Sequence, residues 1–230
     1  MTPENLKTDF DAIFKGVIIP FFKELGFKRK AQNFVRQTND IVQCFNVQKN
    51  QWNSYFDSLS FTFNFGFYNE EIRTLSWGRE IPTSFPKTTD CFIQDRLGAY
   101  SHKHDYWYQL SKRADSNEVA EEVKNDLEKH LKPIFEKYKS LDDLKGFSEK
   151  NTGFLVSPNS QIVFLMMTGQ TKKGKQLFKE HHKKALTPQV VTETINYPDG
   201  RSAVKTSKPY INQYYVDGIE RLAKHYSAEL

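Results

Sequence analysis

The sequence predicts an α+β protein: an antiparallel β-sheet of about four or five strands packed by N-terminal and central helices, with a mostly helical C-terminal extension. Three observations carry this expectation. First, Leu59, Phe61, Phe63, Phe65 and Phe67 alternate with Ser60, Thr62, Asn64, Gly66 and Tyr68. Successive side chains on a strand point to opposite faces, so this is a half-buried strand with an aromatic core face. Second, residues 3–25 and 116–139 place apolar residues at helical spacing and flank the strand-rich region. Third, charge divides the chain: residues 1–150 hold 22 Lys+Arg against 22 Asp+Glu, and residues 151–230 hold 11 against 6. The whole excess of +5 therefore lies in the last third. We expect a core domain over 1–150 and a basic, mostly helical extension over 151–230 docked on it.

In order, Leu6, Phe10, Ile13, Phe14, Val17, Ile18, Phe21, Phe22 and Leu25 form the buried stripe of the first helix. Thr2 is its expected cap, Pro3 its first residue, Gly26 its stop and Pro20 an internal kink or break. A short strand around Phe34-Val-Arg36, a turn at Thr38-Asn-Asp40 and a long strand through Phe45 and Val47 precede the phenylalanine strand. Residues 70–90, with Trp77, Gly78, Pro82 and Pro86, form a long connection with a short helix or strand at 72–77. Two further strands are expected, at 90–98 and 105–110, joined by a polar turn through 101–104. Asp115 caps the second helix, whose stripe is Val119, Val123, Leu127, Leu131, Ile134, Phe135 and Tyr138 and which Pro133 interrupts. In the last third, helices are expected from Pro158 to Met167, from Thr171 to Leu186 and from Lys208 to Ser227. Between the last two, a hairpin would turn at Tyr197-Pro-Asp-Gly200.

At 38% hydrophobic residues and a mean hydropathy of -0.67 the chain is polar, but 19 Phe, 11 Tyr and 3 Trp exclude a disordered class, which lacks such rings. No apolar run approaches the roughly 20 residues of a membrane span. No basic n-region with an apolar run opens the sequence, so no secretory leader is expected. Cys44 and Cys91 are expected as free thiols in a reducing cytoplasm.

Gly26-Phe-Lys-Arg-Lys, Phe34-Val-Arg36, Phe45-Asn-Val-Gln-Lys49 and Phe61-Thr-Phe-Asn-Phe-Gly66 resemble, in this order, the bacterial family called domain of unknown function 4304. Asp90-Cys91, Arg96-Leu-Gly98 and Asp105-Tyr-Trp107 continue the pattern, which covers roughly residues 5–145. Asn50 stands where the family pattern has Ser, and Tyr106 where a second Trp is usual. The resemblance implies a fold and a set of recurrent polar residues, and no established activity.

No G-x-S-x-G, Walker loop or G-x-G-x-x-G occurs, and neither His102-Lys-His104-Asp105 nor His181-His182 has the spacing of a metal site. No cofactor is expected. If Phe45 and Val47 join the phenylalanine face, Asn46, Gln48 and Asn64 share the opposite one, and Arg36 joins them if Val35 points into the core. Amides and a forked guanidinium suit recognition of peptide groups or carboxylates, and Arg96, Asp105 and Trp107 border this row. The alternative is a solvated outer face, common in antiparallel sheets. The leading expectation is a non-enzymatic module recognising a protein or peptide. A second is an enzyme acting through Asp105, Arg96 and His104. A third is nucleic-acid binding through the basic run Lys172 to Lys184.

Overall fold

The fold is that of a computed structural model, which describes residues 6–54, 56–80, 83–113, 115–150, 157–197 and 200–230. The expected Thr2 cap, Pro3, Pro82 and the Pro198-Asp199 of the hairpin turn lie outside the described residues. The chain divides into two compact units: residues 1–73 with 81–156, and residues 74–80 with 157–230.

The first unit is built on the predicted sheet. Its strands are β1 (Lys28–Lys30), β2 (Asn33–Gln37), β3 (Val42–Lys49), β4 (Ser58–Tyr68), β5 (Ile93–Arg96) and β6 (Tyr108–Ser111), all antiparallel. The order is β1-β2-β3-β4, and the far edge of β4 is shared: Asn64–Phe67 pair with β5, and Ser58–Phe61 pair with β6. The sheet thus has six strands, one more than the upper end of the expectation.

The period-two pattern of β4 does what it predicts on one face. Phe61, Phe63, Phe65 and Phe67 are buried, beside Phe34 and Phe45 of the neighbouring strands. They are covered by α1 (Leu6–Ile13) and α2 (Ile19–Glu24), with Phe10 5.2 Å from Phe61 and Phe22 4.3 Å from Phe45. The other end of the face lies under Phe135, 6.1 Å from Phe65, and under Phe147, 5.7 Å from Phe67. The opposite face is not uniformly polar. Val35, Cys44, Tyr68 and Cys91 form a second, smaller apolar cluster there, with Val42 and Phe85 packed on it. Gly66 makes room for it: a Cβ at that position would stand 2.8 Å from the Cβ of Cys91 and 2.5 Å from the carbonyl of Ile93.

Both long helices of this unit are broken in the same way. Five residues of π-helix, Phe14–Ile18, separate α1 from α2, and five more, Leu127–Leu131, divide the second predicted helix. In each case the π turn directly precedes a proline near the start of the next segment, Pro20 or Pro133. The proline has no N–H and its ring would press on the carbonyl four residues back; the wider turn relieves that contact while keeping the chain helical. At the end of α2, Gly26 takes φ +80° and its N–H reaches the Lys23 carbonyl at 3.0 Å. Phe27 donates to the Phe22 carbonyl at 2.9 Å while its ring meets Phe22 at 5.0 Å, a Schellman cap with its apolar contact.

The remaining elements of this unit are α3 (Glu70–Trp77, whose last residues belong to the other unit), α4 (Gly98–Ser101), α5 (Ser116–Asp126), α6 (Lys132–Lys137) and α7 (Leu141–Lys150). Where a polar turn joins the last two predicted strands, α4 begins the connection. Asp115 caps α5 through its side chain, which accepts from the N–H of Asn117 at 2.9 Å.

The second unit contains α8 (Pro158–Met167), α9 (Thr171–Ala185), the hairpin β7 (Thr192–Asn196) and β8 (Ser202–Thr206), and α10 (Gln213–His225). The Ser157 hydroxyl caps α8. Ile162, Val163, Phe164, Phe178, Val216, Ile219 and Leu222 are its buried core. No helix among the described residues is long and apolar enough to cross a membrane.

Candidate functional site

The polar side of the sheet is set by strand register. Asn33 on β2 pairs with Asn46 on β3, Asn46 with Asn64 on β4, and Asn64 with Arg96 on β5. Opposite residues of an antiparallel pair put their side chains on the same face, so these four form one row across four strands. The amides are linked: Asn46 Nδ2 donates to Asn33 Oδ1 at 3.0 Å, and Asn64 Nδ2 donates to Gln48 Oε1 at 2.9 Å and to Asn46 Oδ1 at 3.4 Å. A recess of about 500 Å³ lies on this face, lined by Asn46, Gln48, Asn64, Thr88, Gln94 and Arg96, among others.

Arg96 closes one end. Its Nη1 donates to both carboxylate oxygens of Asp105 at 2.6 Å, and its guanidinium sits 5.3 Å from the ring of Trp107. The Trp107 indole N–H also points to Asp105, at 3.4 Å. The Arg96 hydrogen bond holds the Asp105 carboxyl below the usual carboxylate range. Burial pushes the neighbouring Asp95 carboxyl the other way, up to about 6, although the N–H of Arg96 donates to it at 2.7 Å.

Of the residues expected in the row, Asn46, Gln48, Asn64 and Arg96 share the recess, and Asp105 and Trp107 hold Arg96. Arg36 does not belong to it. It pairs with Gln43 and stands two residues from Phe34, so it lies on the phenylalanine face. There its Nε donates to Gln43 Oε1 at 2.8 Å, Nη1 to the Leu25 carbonyl at 2.8 Å and Nη2 to the Phe135 carbonyl at 3.0 Å. Arg36 caps the carbonyl ends of two helices, and Val35 instead fills the small cluster on the polar side. Asn33 and Gln94 are the members that sequence reading missed. Alternation counted from Phe34 places Asn33 with Asn46, whereas Gln94 depends on a pairing between distant strands.

His104 is not drawn into an acid-base group with Asp105 and Arg96. It is exposed, and its Nδ1 lies 2.7 Å from the carbonyl of His102. The histidine that is engaged is His102, stacked on Tyr106 at 3.6 Å and 3.0 Å from Asp126. Tyr108 donates to the same Asp126 oxygen at 2.6 Å, and Tyr106 donates to Glu122 at 2.7 Å. This network ties α5 to β6. Burial and Glu122 push the Tyr106 phenol up to about 12, so it stays a donor at neutral pH. Burial, with Cys44 beside it, likewise pushes the Cys91 thiol up, which keeps it protonated at neutral pH. Among the described residues no group of three or more His, Cys, Asp or Glu is placed to hold a metal ion.

The lysine run lies on α9. Gly174, Phe178 and Ala185 face inward, and Lys172, Lys175, Lys179 and Lys183 are exposed at helical spacing along one side.

Fold and site together define an α+β protein whose antiparallel sheet has helices on an aromatic face and an ordered amide row on the other. The chain belongs to the family described as Domain of unknown function (DUF4304), whose model matches residues 18–137. No curated protein and no solved structure matches the chain.

Proposed function

We propose that the chain is a non-enzymatic, cytoplasmic bacterial binding module that recognises an extended segment of a protein or peptide through the polar sheet face. The observation that carries this reading is the in-register row Asn33, Asn46, Asn64 and Arg96, of which the last three, with Gln48, line one recess. The row keeps hydrogen-bonding capacity in reserve. Among the described residues, Asn33 Nδ2, Gln48 Nε2, Asn64 Oδ1 and the Nε and Nη2 of Arg96 make no hydrogen bond. Reserve donors on Asn33, Gln48 and Arg96 and one reserve acceptor on Asn64 suit the carbonyls and an N–H of a peptide backbone, which offers both. The linked amides and the Asp105 and Trp107 clamp fix these groups in advance, so little side-chain freedom is lost on binding.

The test is capture of partners from a bacterial lysate by the wild-type chain and by a Gln48→Ala, Asn64→Ala variant. Two lost hydrogen bonds at about 1 kcal/mol each weaken a true partner by roughly thirty-fold. A partner recovered equally by both chains removes the sheet-face site. The enzyme reading through Asp105, Arg96 and His104 requires a turnover that Asp105→Asn abolishes. The nucleic-acid reading rests on the α9 lysine stripe and requires affinity that falls steeply as salt is raised.

A further inference from the structure

One helix carries the whole charge excess of the chain. α9 holds six lysines against one glutamate, while elsewhere in residues 151–230 five Lys+Arg meet five Asp+Glu, and residues 1–150 balance. Lys172, Lys175, Lys179 and Lys183 lie on the side of α9 away from the buried Gly174, Phe178 and Ala185. Among the described residues none of these four is in an ion pair. The acidic groups near them are engaged: Glu180 accepts from Gln176 at 2.8 Å, Glu220 stands 3.1 Å from His182, and Asp217 accepts from Gln213 at 2.7 Å. Glu229, after α10, borders Lys175 and Lys179 in a recess of about 420 Å³. Four lysines against that one carboxylate leave the stripe strongly positive.

The neighbouring helices are arranged to present it. α8 and α9 are joined by three residues, Thr168, Gly169 and Gln170. Gly169 takes φ +73°; its N–H donates to the Met166 carbonyl at 3.2 Å and that of Gln170 to the Leu165 carbonyl at 2.8 Å, which fixes the turn. Gly174 lets α9 pass close to α8, since a Cβ there would stand 2.6 Å from the Met166 Sδ and 3.6 Å from the Leu165 Cβ. α10 braces α9 from another side: the Tyr215 hydroxyl meets His181 Nδ1 at 3.1 Å, and Phe178 lies 6.4 Å from the ring of Tyr226. Two helices joined by a short glycine turn, the second backed by its own core and open on its outer side, are the parts of a helix-turn-helix.

We propose that the second unit is a helix-turn-helix that lays α9 in the major groove of duplex DNA, with its lysines on the phosphates. That groove admits one α-helix, and four lysines spread over about three turns follow the charges that border it. Single strands are held by stacking on exposed rings, and the aromatic residue of α9, Phe178, is buried. An anionic membrane takes a helix with apolar side chains on one open face, and on α9 Phe178 and Ala185 are spent inside the unit. Nothing in this inference rests on the sheet face of the first unit.

The experiment is fluorescence anisotropy of a labelled DNA duplex titrated with the full chain at rising KCl. Four phosphate contacts give a slope of about -3.6 in log affinity against log salt, so binding weakens roughly a hundred-fold from about 50 to 200 mM KCl. Lys175→Ala with Lys179→Ala lowers that slope by about two and weakens the duplex by about ten-fold or more at the lowest salt. Alanine keeps an exposed helix intact, and circular dichroism checks that it has. Lys15→Ala with Lys129→Ala, the same charge change at exposed positions of the first unit, keeps the wild-type slope. A Gln48→Ala, Asn64→Ala chain binds the duplex as wild type does, which separates this test from that of the sheet face. The inference is overturned if the duplex does not saturate at the lowest salt, if the α9 pair leaves the slope unchanged, or if either control chain loses as much affinity as the α9 pair. It is also overturned if a single strand of the same length, or vesicles of phosphatidylserine and phosphatidylcholine, bind more tightly than the duplex, which makes a single strand or a membrane the occupant.

Discussion

Arg36 places a charge on the side of the sheet that carries the phenylalanines. It does so because three acceptors converge there: the Gln43 side chain and the carbonyls of Leu25 and Phe135. Gln43 is itself fully buried and donates to the Phe135 and Tyr138 carbonyls at 2.7 and 2.8 Å. Truncation leaves these groups short of partners, and Arg36→Ala is expected to lower stability by about 3 kcal/mol in urea unfolding. Arg36→Lys is expected to recover little, because one ammonium cannot reach three acceptors that a guanidinium fork reaches together. An Arg36→Ala chain as stable as wild type removes the capping role. Counting outward from Phe34 in steps of two was enough to put Arg36 on the core face. Val35, the apolar residue beside it, points the other way. The sheet has a second apolar patch, and Val35, Cys44, Tyr68 and Cys91 fill it.

At the scale of elements, two glycines separate two kinds of constraint. Gly26 has open space around it, and its demand is the positive φ of the helix stop. Gly26→Ala is expected to cost about 1 kcal/mol. Gly66 sits on β4, where a Cβ collides with the Ile93 backbone and with Cys91. Backbone on an adjacent strand cannot yield cheaply, so Gly66→Ala is expected to cost about 3 kcal/mol and to loosen the β4–β5 pairing. Chemical denaturation of the two variants checks the ranking, and equal losses would contradict it. The helix stop at Gly26 was legible from the chain because caps are local. The crowding at Gly66 was not, because it comes from residues almost thirty positions away. The prolines lie between these cases. Pro20 and Pro133 announced breaks, but the π turns that accommodate them follow from both helix halves staying packed on one aromatic face.

At the scale of the molecule, stability is expected to be uneven within each unit. In the first, β3 and β4 are central strands with buried phenylalanines on one face. In the second, β7 and β8 pair only with each other among the described residues and are largely exposed, with Val204 at 67%. A two-stranded ribbon is marginal by itself in water. Hydrogen exchange should therefore leave the amides of Phe61–Phe67 protected to global unfolding and those of Thr192–Asn196 exchanging orders of magnitude sooner. Comparable protection in both would mean that something covers the hairpin.

The sequence by itself determined the alternation of β4, the stripes of the helices, their caps and the family, because each is written within one or a few turns of chain. The site was only half legible in it. Alternation sorted Asn46, Gln48 and Asn64 onto one face, yet it could not say which strands are neighbours. Tertiary structure decided that β5 and β6 divide one edge of β4, which sets Arg96 opposite Asn64 and swings Asp105 and Trp107 against Arg96. It also decided which three acceptors Arg36 meets on the phenylalanine face. Both outcomes depend on long-range pairing and on which polar groups must be satisfied once the aromatic face is covered, and no local pattern encodes either.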